Sequence, residues 1–326
     1  MAQQVQLTAT VSEAQLGQRL DQSLAELFPD YSRSRIKDWI LQGRVTLNGV
    51  TATIPKEKVF GGEQVNIDAE IEEEARWEPQ DIALDIVYED DDILVINKPR
   101  GLVVHPGAGN PDGTVLNALL YHYPAIADVP RAGIVHRLDK DTTGLMVVAK
   151  TVQAQKHLVD CLQRREITRE YEAVAIGTMT AGGLVDEPIS RHPTKRTHMS
   201  VHPMGKPAVT HYRIMEHFRA YTRLRLRLET GRTHQIRVHM AHLSHPLVGD
   251  QLYGGRPRPP KGASDDFISV LRKFDRQALH ATMLRLYHPI TGIQMEWHAA
   301  LPEDMVELIE AMKADTELHK DEMDWL

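Results

Sequence analysis

Nine consecutive residues, His136-Arg137-Leu138-Asp139-Lys140-Asp141-Thr142-Thr143-Gly144, gather an imidazole, two cations, two carboxylates and two hydroxyls between apolar runs. Ahead of them Ala132-Gly133-Ile134-Val135 reads as a short entering strand, and behind them Leu145-Met146-Val147-Val148-Ala149 reads as a buried one. Unpaired charge beside an apolar core costs free energy, so packing alone gives no reason for this loop. A loop held between rigid strands is, however, a usual place for reacting groups. Two carboxylates two positions apart could share a face and flank a glycosidic bond as acid and base, although nothing in the sequence fixes their separation. Asp141-Thr142-Thr143-Gly144 also carries turn chemistry, in which Asp caps its own backbone. We therefore read Asp139 as the working carboxylate and Asp141 as structural or secondary.

A second polar group is Thr230-Gly231-Arg232-Thr233-His234-Gln235-Ile236-Arg237. Arg232 and Arg237 are candidates to pair with Asp139, and such a pair keeps a carboxylate ionised in an enclosed site. His234, His239, His242 and His245 raise the question of zinc, but there is no HExxH arrangement and no Cys pair, so no metal is expected. Tyr171, set among Arg169, Glu170 and Glu172, reads equally as core or as a platform for stacking. Gly107, Gly109 and Gly113 are too far apart for a dinucleotide fingerprint, and no Gly-Lys-Ser/Thr follows them. The single Cys161 excludes an internal disulfide and, inside an apparent helix, reads as a buried spectator.

The elements that must hold these groups mix strands and helices without strict alternation, which points to an α+β fold with a mixed, largely antiparallel sheet. At 326 residues the chain has room for two domains. We expect an amino-terminal module over 1–75, a linker over 76–84 and a catalytic domain over 85–326. In the module, Leu20, Leu24, Leu27 and Phe28 follow helical spacing. Ser32 caps a second helix with Ile36, Trp39 and Ile40 on one face and Arg33, Arg35 and Lys37 on the other. Arg44 follows, then Val45-Thr46-Leu47-Asn48-Gly49-Val50, a hairpin signal. The Glu-rich stretch 68–81 reads as a linker. Further strands are expected at 86–88, 93–96, near 102–105, at 168–176 and over 223–228, where Arg223, Arg225 and Arg227 would form a cationic face. The basic stretch 189–206 reads as a loop or hairpin.

The net charge of −7 hides an uneven distribution. Residues 68–92 carry 12 acids against one base and residues 303–326 nine acids against two lysines, so that with both set aside the formal charge is +11. A polyanionic partner is thus permitted. The opening residues form no signal peptide and no apolar run is long enough to span a membrane, so a cytoplasmic protein is expected.

The segment Ile134 to Leu145 resembles the signature of the RluA family of RNA pseudouridine synthases. The likeness extends to Asn97-Lys98-Pro99 through His105-Pro106, to Arg169-Glu170-Tyr171, to Glu229 through His239 and to Leu279-His280-Ala281, with no departure at these positions. The order helix, basic helix, Gly43-Arg44-Val45-Thr46-Leu47-Asn48-Gly49 resembles the S-four-type RNA-binding module, which implies an RNA-facing surface of Arg33, Arg35, Lys37 and Arg44. Together they are similar to the bacterial branch that acts on large-subunit ribosomal RNA, free, in a stem-loop, or within a pre-ribosomal particle. The resemblance implies isomerisation of selected uridines without cofactor or metal. It makes Asp139 the reacting carboxylate, Arg237 its paired cation and Tyr171 the ring stacked on the target uracil, with Ile236 packed nearby and His136 and Arg232 lining the substrate site. Arg137 would fill the space left by the extruded base. Two other readings stand beside it: an RNA-binding or assembly protein without catalysis, and a hydrolase of nucleosides or glycosides using Asp139 and Asp141. The unbroken central motif argues against the first and the lack of a convincing second acid against the other.

Overall fold

Apolar residues alternate along Gln3–Thr10 (β1) and recur at helical spacing along Leu20–Leu27 (α1) and Arg33–Leu41 (α2). Val45–Leu47 (β2), Val50–Ala52 (β3) and Gln64–Ile71 (β4) complete a sheet in the order β1-β4-β2-β3. Leu20, Leu24, Ile36, Trp39 and Ile40 bury against Val45, Val65 and Ile67 of that sheet. Ser32 Oγ accepts from the Arg35 N–H, the expected cap. Asn48 and Gly49 both adopt positive φ, as a two-residue hairpin turn demands. The computed structural model describes residues 3–71 and 77–323, and the chain divides into two compact units, Met1–Trp77 and Glu78–Leu326. The expected linker over 68–81 is in part strand: Ile67, Ala69 and Ile71 alternate with polar residues and place 68–71 in β4. Residues 72–76 lie outside the described residues.

The second unit is built on Ile86–Glu89 (β5), Ile93–Lys98 (β6), Val115–His122 (α3), Thr143–Ala149 (β7), Val152–Gln163 (α4), Thr168–Ile176 (β8) and Gly183–Asp186 (β9). It continues through Ile189–Arg191 (β10), Met199–Val201 (β11), Val209–His217 (β12), Tyr221–Leu228 (β13), Gln235–His242 (α5), Asp265–Lys273 (α6), Leu279–Tyr287 (β14), Gln294–His298 (β15) and Glu303–Leu318 (α7). The main sheet runs β5-β6-β7-β14-β8-β13-β12-β9, with β15 on β14. Among the described residues only β7 and β14 pair in parallel, so the sheet is mixed and largely antiparallel.

All seven residues of β7 are buried because both faces are covered. Met146 and Val148 enter one core with residues of α3, while Leu145, Val147 and Ala149 enter another with Leu158 and Cys161 of α4. At the β7–β14 seam Gly144 has φ +120, and a Cβ there would lie 2.3 Å from the Ala281 carbonyl oxygen. Only glycine lets these backbones meet.

Two expected strands are absent. Ala132-Gly133-Ile134-Val135 is not an entering strand: Pro130–Gly133 forms a 3-10 turn with positive φ at Arg131 and Ala132, and Ile134 makes a single bridge to Val148. Near 102–105 the carbonyls of Val103 and Val104 are taken by the N–H groups of Val115 and Leu116, the first turn of α3. The cationic face of β13 is largely neutralised, with Arg223 on Glu172 at 2.9 Å and Arg225 on Glu170 at 2.9 Å. The stretch 189–206 is a hairpin of β10 and β11. The acidic carboxy-terminal segment forms α7, which buries Met305, Leu308, Ile309 and Met312.

Candidate active site

The loop from His136 to Thr142 is tied from three sides before its carboxylate is considered. His136 Nε2 accepts from the Val147 N–H at 3.0 Å. Burial, with the charge of Arg169 added, pushes that imidazole down to about 3, so the ring is neutral. Lys98, 1% exposed, donates its ammonium to the carbonyls of Pro99, Leu102 and Lys140 at 2.8–2.9 Å. Burial pulls this group down to about 7 against the opposing pull of Asp141 and Asp139. Arg276, 2% exposed, grips Asp304 through Nε and Nη2 and gives Nη1 to the Asp141 carbonyl at 2.9 Å. Gln277 reaches the Thr142 hydroxyl at 3.0 Å, and Thr143 Oγ1 meets His280 Nδ1 at 2.7 Å across the seam.

Asp139 therefore projects from a fixed backbone into a cleft of about 780 Å³. Arg237 Nη1 donates to its Oδ2 at 3.1 Å. The remaining fork of Arg237 is spent on Asp250, at 2.7 Å from Nε and 2.9 Å from Nη2. Asp250 is wholly buried and also accepts from the backbone N–H groups of Leu252 and Tyr253. Burial works against the Arg237 charge, but Asp250 and then Asp139 outweigh it and hold the guanidinium protonated. Tyr253 lies under Arg237, 5.1 Å from its ring centre, and its hydroxyl meets His234 Nδ1 at 2.7 Å.

The cleft gathers every catalytic and substrate-site residue expected from the sequence: His136, Arg137, Asp139, Tyr171, Arg232, Ile236 and Arg237. Arg137 is exposed and donates to Thr233 Oγ1. Arg232 is anchored by Nε to the Pro207 carbonyl at 2.8 Å. Tyr171 and Ile236 are buried at 5% and 4% exposure, and burial raises the Tyr171 phenol. Pleating puts Arg169 and Tyr171 on the cleft face of β8 and sends Glu170 and Glu172 to the arginines of β13. Three of the four histidines weighed as a zinc set are hydrogen-bonded elsewhere: His234 with Tyr253, His239 with Thr210 and the Glu187 carbonyl, His245 with the Ile176 carbonyl.

Arg33, Arg35, Lys37 and Arg44 belong to the first unit, on α2 and the turn before β2. Arg33 also pairs at 3.3 Å with Asp21, a buried carboxylate that Arg19 holds at 2.8 Å. Together the two arginines keep Asp21 below its ordinary range although burial pushes the other way. Sequence reasoning missed Asp250, Lys98, Arg276 and Gln277 as site residues. The pair Gly249-Asp250 thirteen residues after Arg237 was the one available sign of the first.

Two family models match this chain: that described as RNA pseudouridylate synthase over residues 92–242, and the S4 domain over residues 18–65. The fold and the matches thus define a pseudouridylate synthase domain preceded by an S4 domain. Ribosomal large subunit pseudouridine synthase D of Yersinia pestis is 84% identical over 325 residues, covering 100% of both chains. The protein of the same name from Escherichia coli (strain K12) is 84% identical over 326 residues, again 100% of both. That of Pasteurella multocida (strain Pm70) is 71% identical over 322 residues, 99% of both. The solved structure of human RNA pseudouridylate synthase domain containing 4 superposes with TM-score 0.55 at 25% identity, covering 70% of this chain and 93% of that one. Human RNA pseudouridylate synthase domain containing 1 does so with TM-score 0.50 at 27% identity, covering 71% and 95%. The chain belongs to the RluA family of RNA pseudouridine synthases. Among the described residues no helix is long and apolar enough to cross a membrane.

Proposed function

We propose that this enzyme converts selected uridines of large-subunit ribosomal RNA to pseudouridine and so serves ribosome biogenesis in the cytoplasm. The observation that carries the reading is the Asp139 carboxylate, set in the cleft 3.1 Å from a guanidinium whose Nε and Nη2 are held by Asp250. In the reaction the bond from the sugar to ring nitrogen N1 breaks, the uracil turns, and ring carbon C5 joins the sugar instead. The proton on C5 is lost and N1 gains one. Isomerisation consumes no electrons and transfers no group, so the scheme calls for no cofactor or metal. Asp139 promotes cleavage of the glycosidic bond by adding to the sugar or the base. Arg237 orients it.

A stacked uridine cannot reach Asp139, so the target is swung out of its helix at a cost of a few kcal/mol. Arg137, exposed at the mouth of the cleft, fills the vacated place. Tyr171 stacks on the extruded uracil, with Ile236 against it and His136 and Arg232 bounding the site. The module over 1–75 supplies affinity through Arg33, Arg35, Lys37 and Arg44, joined by a linker over 76–84 to a catalytic domain over 85–326. A loop substrate suits such an enzyme, because unstacked RNA bases are the ones read in sequence; we therefore place the target in a stem-loop.

Mapping pseudouridines in large-subunit RNA from cells with and without the protein tests this. A small set of sites should vanish and return with the wild-type chain but not with Asp139→Asn. An unchanged map would overturn the substrate assignment. Release of free uracil by the purified protein would make it a hydrolase instead.

A further inference from the structure

Four arginines of the second unit are deeply buried or nearly so, and three have an aspartate. Arg219 chelates Asp315, Arg237 chelates Asp250 and Arg276 chelates Asp304, each through two donors. Arg169 is the exception. It is 7% exposed, its Nε is buried without a hydrogen-bond partner, and among the described residues no carboxylate pairs with it. A cation held this way lowers stability unless something arrives to meet it.

The surroundings keep space for that guanidinium. A Cβ on Gly231 would lie 2.8 Å from Arg169 Nη1, so a side chain at residue 231 would push the guanidinium from its present place. Arg169 shares the cleft face of β8 with Tyr171, two residues on, and lines the same cleft as Asp139. Arg137 is exposed and free to enter the place the base has left, whereas Arg169 is 7% exposed within the cleft that would receive the base. Arg237 is held elsewhere, since each of its three nitrogens already donates to Asp139 or Asp250.

We infer that Arg169 is a catalytic residue that receives the negative charge of the uracil as it leaves the sugar, an inference that rests on the pseudouridine-forming reading of this cleft. When the bond from the sugar to N1 breaks, its electron pair stays on the ring and spreads over N1 and the two carbonyl oxygens. A planar guanidinium meets an adjacent ring nitrogen and carbonyl oxygen edge to edge, with two parallel N–H donors. Once C5 has joined the sugar and its proton has left, N1 is protonated and the charge disappears. The group is thus needed between bond breaking and bond making, and a donor fixed in advance in a dry site is most effective there.

The test uses the full-length protein and a transcript of the large-subunit RNA, with Arg169→Met and Arg169→Lys beside the wild type. Single-turnover product formation by Arg169→Met should fall about 10²-fold or more, the size seen when one charge-stabilising donor is removed. RNA affinity should stay within a factor of about 3, and Arg169→Lys should recover at least about 10-fold of the lost rate, because the charge is retained. With 5-fluorouridine at the target, whose ring carries negative charge more readily but has fluorine in place of the C5 proton, the Arg169→Met defect in breaking the bond from the sugar to N1 should shrink, read as cleavage of that bond and not as completed product. Because no carboxylate among the described residues pairs with this arginine, Arg169→Met should melt at or above the wild-type temperature. A marked fall in melting temperature, a loss confined to RNA affinity, or turnover near wild type would each overturn the assignment. If the wild-type protein itself makes no pseudouridine, the reading of the cleft fails, and this inference with it; if only the Arg169 results go wrong, the reading stands.

Discussion

Arg237 and Arg276 are the same device put to different ends. Each is buried, each spends Nε and Nη2 on one aspartate, and each leaves Nη1 for the loop between Asp139 and Thr142. Arg276 Nη1 ends on a backbone carbonyl, that of Asp141; Arg237 Nη1 ends on the Asp139 carboxylate. The first holds the shape of the loop and the second aims its charge. The aspartates differ too: the Asp250 side chain is fully buried, whereas that of Asp304 is 35% exposed. A guanidinium fixed by one carboxylate is a rigid arm, and what its free end touches decides whether it serves folding or chemistry.

The comparison can be broken at several points. Asp139→Asn should abolish product while leaving RNA affinity and melting temperature near wild type, checked by tritium release, filter binding and calorimetry. A large fall in stability would place Asp139 on the folding side of the pair. Arg237→Met should remove activity and also cost about 3–5 kcal/mol in denaturant unfolding, since it strands the buried Asp250 charge. His136 adds a tie without charge. Folded, its ring stays neutral down to about pH 3, while an unfolded histidine takes up its proton near 6.5. The unfolded chain therefore binds the extra proton, and stability should fall as pH drops from about 6.5 toward 3, by at most about 3 kcal/mol after allowance for the partly exposed ring. His136→Gln should flatten that slope; an unchanged slope would remove this histidine as its source. Arg276→Met should cost about 2 kcal/mol, less than Arg237→Met because water reaches Asp304. If it costs more, the carbonyls of Asp141, Gln277 and Leu279 matter more than the carboxylate.

Much of the site was legible because it lies in contiguous segments. The run from His136 to Gly144, the pair Arg232 and Arg237, and the alternation through Tyr171 each carry a local pattern, and all converge on one cleft. The Ser32 cap, the Asn48-Gly49 turn and the buried run of β7 were equally readable. What was not legible depends on contacts between distant residues. Asp250 follows a glycine in a stretch with no periodicity, and only folding shows that it faces Arg237. Nothing local marks Lys98 or Arg276 as buried, yet backbone carbonyls of other segments take up their donors inside the fold. The strand expected near 102–105 failed because its apolar residues are real but its carbonyls are used to start α3. β1 was missed because its apolar residues are weak and few, and its partner β4 lies some 60 residues on.

The seam at Gly144 and Ala281 has a consequence for how the enzyme comes into being. It joins a strand from the middle of the chain to one from near its end, and the arms that reach the reacting loop come from residues 98, 237 and 276. Contacts of such long separation form late, after the entropy of closing the intervening chain has been met. A nascent or truncated chain ending before β14 can hold its S4 domain and still lack any working centre. The protein thus completes its amino-terminal module first, and its candidate site only when the last strands have closed.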